Sequence, residues 1–375
     1  MAIERRMSDI SENNQDSKPS DAEEILQKKF RLTEFGGAFG DWGTLIPFVI
    51  GYVLLVGLNP AGIFLCLGIT NILLGIRFNL PLPVQPQKTI GTVAIAERWN
   101  PNLVISTGFG TGIIWAILGF SKRLNKLVEK VPQLVVRGIQ LGLGFILGWT
   151  ALLLFVENYV LGIISIVIIL GVNYTFLRKK IPSAIILTFL GVFLIFYLGR
   201  VDLSNVAFNL PSFQLFLPNL PDLLYGMLIA GIAQLILTLT NVMIATVSLV
   251  KDLFPEKEDV IDANSLAFNM GAINLVSPFL GGMPLCHGSG GLAAQYAFGA
   301  RTGGSMIFEG LLEIFLGLFF SQTLFLLFLQ FPEAILGAML LYTAFLLSKI
   351  AFTEFDLKNF PLILISALFC FFLNI

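Results

Sequence analysis

Apolar runs of about 20 residues recur along the chain, separated by short polar stretches or by proline and glycine, which is the pattern of membrane-spanning helices. The runs cover approximately 35–57, 60–77, 102–120, 133–155, 159–176 and 183–198. After a semi-polar stretch at 199–219 they resume at 221–250, 262–279, 303–328, 333–349 and 360–375. Two further runs, 81–96 and 284–299, are interrupted. In the first, Pro81, Pro83 and Pro86 exclude a continuous helix, because each lacks an N–H and pushes its predecessor towards an extended conformation. The pattern predicts an extended segment feeding a helix over 87–96, with Lys88 in its first turn. In the second, Pro284 to Gly291 leads into a helix predicted over 292–298. Irregular backbone at membrane depth is tolerated only where protein or a cavity surrounds it, so both segments are expected at a binding site.

The interrupted segments echo each other. An offset of 201 residues sets Pro83 on Pro284, Ala94 on Gln295 and Ala96 on Ala297. Few identities accompany the match, but two broken spans at corresponding places in two halves are the mark of internally repeated transporters.

Composition agrees with the pattern. Of 375 residues 56% are hydrophobic and 13% charged, about half the charged content of soluble domains. Residues 1–30 are polar and aperiodic and read as a disordered cytoplasmic tail, without the apolar core of a secretory signal. With the N-terminus inside and every broken span counted as a crossing, only Arg98 and Arg200 among the 23 basic residues fall outside, and Lys88 falls within the membrane. Three dispersed cysteines form no disulfide or metal framework, and the single histidine, His287, excludes a multi-histidine metal or haem centre. No cofactor, metal or nucleic acid is expected, and no nucleotide-binding motif is present.

Several polar side chains sit where bilayer would make them costly. Asp41 follows a glycine-rich stretch (Gly36, Gly37, Gly40), and Lys88 is its expected partner. Thr44 is a candidate ligand or a hydroxyl bonded back to its own helix. Gln85, on the extended segment, is the better ligand candidate of two glutamines, with Gln87 a helix cap. In the second broken segment Gly288, Gly290 and Gly291 offer backbone N–H groups, Ser289 adds a hydroxyl, and His287 is placed to donate a bond or carry a proton. Gln295 is a further candidate on the following helix. Glu309 and Glu313 share one helix face, to relay protons or to pair with Arg301 or Arg137. Two converging helix N-termini, each worth roughly half a positive charge, plus Lys88 make about +2, which suits a small dianion.

The segments FGDWGTLIP, PLPVQPQKTIGTVAIA and PLCHGSGGLAAQYAFGARTG resemble the signature segments of the molybdate transporter family, distant relatives of the SulP sulfate permeases. The resemblance runs from about Arg31 to Lys349. The chain differs in having Trp42 where leucine is usual, Gln87 for methionine and Ser289 for alanine; the lysine, the histidine and the glycines remain.

The resemblance implies an all-α polytopic protein of the SulP and nucleobase-permease type, with two inverted seven-span repeats. These would occupy 31–200 and 221–375, joined by an extracytoplasmic connector at 201–220, with the last span apparently missing and no further cytoplasmic domain. Spans 1–4 and 8–11 would form a core domain and the remainder a gate domain. The implied function is secondary active import of molybdate across a plasma or inner membrane; the cost of moving a dianion into a negative interior adds the expectation of proton coupling. A sulfate transporter and an anion channel of the same fold are the alternatives, and a homodimer is the candidate assembly. Taken together, the residues read above place the substrate site at Thr44, Gln85, Lys88, His287, Gly288, Ser289, Gly290 and Gln295. Asp41, His287, Glu309 and Glu313 are the coupling candidates.

Overall fold

A computed structural model describes residues 31–121, 124, 133–175, 182–201, 208, 210, 211, 216–257, 260–351 and 360–373. The expected tail at 1–30 and most of the connector lie outside these residues. The described chain is mostly helical. Helices α1 (Leu32–Ala38), α2 (Trp42–Gly51) and α3 (Pro60–Phe78) lead to strand β1 (Val84–Pro86) and helix α4 (Lys88–Ala96). Then follow α5 (Pro101–Ser121), α6 (Gln133–Phe155), α7 (Tyr159–Asn173) and α8 (Ser183–Tyr197). The second half contains α9 (Leu220–Leu253), α10 (Ala263–Val276), β2 (Leu285–His287) and α11 (Ser289–Ala297). It closes with α12 (Gly304–Phe319), α13 (Ser321–Leu329), α14 (Glu333–Ala351) and α15 (Phe360–Leu373).

Local chemistry sets several boundaries. Asn59 caps α3 by accepting from the Ala61 N–H, Pro60 opens the helix, and Asn79 closes it in the left-handed region at φ 49°. Asp262 and Ser265 form a reciprocal capping box at the start of α10. Among the described residues four helices are long and apolar enough to cross a membrane, or five if α12 and α13 are one bent span. Large apolar side chains stand exposed around the outside, among them Ile117, Phe120, Val167, Phe189 and Phe193, each at least 62% accessible. Lipid is the solvent that suits such a surface.

Two expected spans are not single helices. The run read at 35–57 breaks at Phe39–Asp41, between α1 and α2. Gly40 lies against α11 there, so closely that a Cβ would stand 2.6 Å from the Ala294 carbonyl oxygen. The run read at 303–328 bends by 83° between α12 and α13. No proline or glycine marks this bend. It coincides with a cluster in which Phe208 stacks on Phe319 at 4.5 Å and meets Phe320 edge-on.

Helix α3 packs along α12, α5 along α10, and α6 along both α14 and α15. The α3–α12 contact is close because Gly68 and Gly310 face each other. A Cβ on either would come within 2.5 Å of the other's carbonyl oxygen. The two interrupted segments meet inside the molecule, where β1 and β2 pair antiparallel with Val84 opposite His287, Gln85 opposite Cys286 and Pro86 opposite Leu285.

Candidate functional site

Each strand delivers its chain into a buried helix start. Gln87, extended at φ −62° and ψ 109°, is the N-cap residue of α4, and Lys88 is its first residue. Gly288, also extended, precedes α11, which begins at Ser289 rather than at the expected Leu292. The first N–H groups of a helix have no partner within it, so both ends bring free donors into the interior. The short sheet holds them together, since Gln87 N–H also donates to the Pro284 carbonyl at 2.9 Å.

A cavity of about 290 Å³ lies at these ends. It is lined by Gln85, Lys88, Cys286, His287, Gly288, Ser289 and Gly290, and on its far wall by Gln234 and Thr238 of α9. A second cavity of about 680 Å³ shares Gln85, Lys88 and Gly290 and extends past Asp41 and Thr44 to Asn173, Ser183 and Lys349. Most of the candidate ligands, Thr44, Gln85, Lys88, His287, Gly288, Ser289 and Gly290, therefore border one or both cavities. His287 is fully buried, and neither of its ring nitrogens has a hydrogen-bond partner. A buried imidazole with both nitrogens idle is costly unless something else occupies it. Among the described residues Lys88 likewise has no hydrogen-bonded or ion-paired partner, and a Cβ on Gly290 would meet only its Nζ, at 4.0 Å.

Gln295 lies elsewhere. Its Nε2 donates to Glu309 Oε2 at 2.6 Å and Asp41 Oδ1 at 3.3 Å, and its Oε1 accepts from the Ser305 hydroxyl. Every polar atom of this side chain is used within the protein, and it borders neither cavity. Asp41 is not paired with Lys88; its partners are the amides of Gln295 and, at 3.5 Å, Gln85. Glu309 takes a further bond from Trp42 Nε1, and Glu313 one from Asn71 Nδ2. Arg301, an expected partner of the glutamates, instead bonds the Tyr296 and Ala300 carbonyls and lies over the Tyr296 ring. The Thr44 hydroxyl accepts from Gln85 Nε2 at 3.0 Å while donating to the Asp41 carbonyl. Gln87 is a cap only in backbone; its amide bonds Thr111 and the Leu285 carbonyl.

One site residue escaped the sequence reading. Gln234 Oε1 accepts from the Thr89 N–H at 2.8 Å, capping α4 from another helix, and its Nε2 donates to Thr238. The available signal was a glutamine in the apolar run Gly231–Leu237, at a position where lipid would not tolerate it.

A family model described as "Molybdate transporter of MFS superfamily" matches residues 33–147 and 226–347. Molybdate transporter 2 of Arabidopsis thaliana is 31% identical over 370 residues, covering 84% of this chain and 79% of that protein. Molybdate transporter 1 of Chlamydomonas reinhardtii is 27% identical, covering 82% and 81%. Among solved structures, the transmembrane domain of a cyanobacterial bicarbonate transporter, BicA, superimposes with a TM-score of 0.69 at 15% identity, over 92% of this chain and 96% of that one. The murine Solute Carrier 26 family member A9 anion transporter, in its inward-facing state, gives 0.68 at 13%, over 98% and 72%.

Proposed function

This chain belongs to the molybdate transporter family, and from that premise we propose that it is a secondary active importer that binds molybdate in the cavity between the starts of α4 and α11. It is a multi-pass membrane transporter of small anions and not an enzyme. The observation that carries the binding mode is the convergence on one cavity of Lys88, the idle His287 ring and the open amides at Ser289 and Gly290. A dianion leaving water needs charge and donors at close range, and this cavity is the place in the described chain that offers both.

The arrangement also supports two inverted repeats. The 201-residue offset carries Lys88–Ala96 onto Ser289–Ala297, residue for residue. It makes Gln85 the counterpart of Cys286, and this is the central pair of the antiparallel ladder, where a two-fold axis would pass. The packing of α3 on α12 and of α5 on α10 exchanges under the same operation. On this reading α1–α5 and α9–α13 form the core domain, and α6–α8, α14 and α15 form the gate. The larger cavity, bordered by α2, α7, α8 and α14, lies between the two and is the substrate's path.

Import against a negative interior costs about 2.3 kcal/mol per charge per 100 mV, so a dianion must travel with cations, and protons carried on the buried carboxyls fill that role. The test is uptake of radiolabelled molybdate into proteoliposomes under an imposed proton gradient, with sulfate as competitor. Saturable, gradient-driven accumulation that excess sulfate displaces weakly is expected. Large currents without accumulation would make the protein a channel, and equal competition by sulfate would make it a general oxyanion carrier.

A further inference from the structure

Three carboxyl groups lie buried together beside the larger cavity: Asp41 at 1% exposure, Glu309 at 1% and Glu313 at 0%. Among the described residues no lysine or arginine bonds to any of them. Asp41 Oδ1 and Glu309 Oε2 accept from the same Gln295 nitrogen, at 3.3 and 2.6 Å. Two buried carboxylates gathered on one amide nitrogen repel too strongly for both to ionise, so the pair holds a proton. The neighbouring elements carry further charged and titratable groups. Glu313 lies one turn along α12, held by Asn71, with Oε1 unpartnered. Glu34 on α1 is engaged by the Arg301 and Thr302 N–H groups. Lys88 and Lys349 stand across the cavity that Asp41 lines, and His287 borders the neighbouring one.

Gln85 connects this pair to the anion cavity. Its Nε2 points to Thr44 Oγ1 and Asp41 Oδ2, and its Oε1 faces Gly288, where a Cβ would lie 3.4 Å away. In this orientation the amide presents a carbonyl oxygen, which repels an anion. An ionised Asp41 oxygen only accepts, whereas a protonated one donates. We propose that Asp41 and Glu309 share one proton on the Gln295 amide, and that a second proton on the pair turns the Gln85 amide so that its NH2 group faces the anion cavity. Gln85 is then a positioning residue for coupling. Proton and anion favour each other because the same amide cannot serve Asp41 as donor and the anion as donor at once. The inference rests on the proposed anion site.

The test measures equilibrium binding of radiolabelled molybdate to the purified full-length protein between about pH 5 and 8, with proton uptake followed by an indicator in weak buffer. Wild type should take up about one proton per anion, its affinity falling up to about tenfold per pH unit. Asp41→Asn preserves size and should bind without proton uptake, with a flat pH profile. Gln85→Met, outside the acid pair, should bind up to about tenfold more weakly and also lose proton uptake. Wild-type proton uptake in Asp41→Asn or in Gln85→Met overturns the proposal, as does pH-independent binding by wild type. Absence of wild-type binding at every pH would instead remove the anion site beneath it.

Discussion

Helices α4 and α11 are the same length, follow paired strands and start at one cavity, yet they offer different chemistry. Helix α4 opens with Lys88, and the N–H of its second residue, Thr89, is already taken by Gln234. Helix α11 opens with Ser289, Gly290 and Gly291 and carries no charge there. One start supplies a full positive charge and has its second amide capped; the other supplies the amides of Ser289 and Gly290 beside it, Gly291 N–H being bonded to the Gly288 carbonyl. The division is economical in space, because a long side chain on α11 would occupy the volume in which the Lys88 ammonium stands.

The comparison predicts unequal losses. Lys88→Ala should have the largest effect, weakening molybdate binding by about 10- to 100-fold, the range for a charged hydrogen bond. Lys88→Arg should lose less. A dissociation constant for Lys88→Ala equal to wild type would show that the helix ends suffice. The adjoining glycines of α11 then separate. At Gly291 a Cβ would stand 2.9 Å from Pro83 Cγ and 3.1 Å from Gln85 Nε2. Gly291→Ala should therefore force the crossing apart and cost about 1–3 kcal/mol of stability, read as a lower unfolding temperature of the solubilised protein. At Gly290 the space is open, so Gly290→Ala should leave that temperature near wild type and weaken binding by several-fold, on the order of 1 kcal/mol. Identical behaviour of the two variants would erase the distinction between a packing glycine and an anion-facing one. The smallest loss of molybdate binding is expected from Gln234→Leu. It strips the acceptor from Thr89 N–H, a cost of about 1–3 kcal/mol, and saturating molybdate should restore part of it by taking the free donor. If molybdate stabilises this variant no more than wild type, the Thr89 amide does not reach the anion.

The largest features of the fold were legible because membrane imposes them. Without water, every backbone group must be satisfied internally, so long apolar runs mark helices. Proline triplets and glycine clusters mark the places where that rule is suspended. Pro81 to Lys88 and Pro284 to Gly291 identified the crossing, although the start of α11 was expected at Leu292, three residues beyond where it lies. The breaks at Phe39–Asp41 and at Phe320 were not legible in the same way. The first depends on how α11 approaches Gly40, and the second on aromatic rings brought together from residues 208 and 315–320.

By itself the sequence determined that this chain is a polytopic membrane protein with two interrupted spans, and which rare polar residues it must shelter, since each such residue is costly in lipid and its presence signals a partner. Only the tertiary structure decided who the partners are. It placed Gln295 with Asp41 and Glu309 instead of at the anion cavity, and left Lys88 without the aspartate expected for it. It also drew Gln234 onto the start of α4. Hydropathy records what each segment demands of its surroundings. Hydrogen bonds between residues up to 268 positions apart, as from Thr302 to Glu34, depend on how the segments pack.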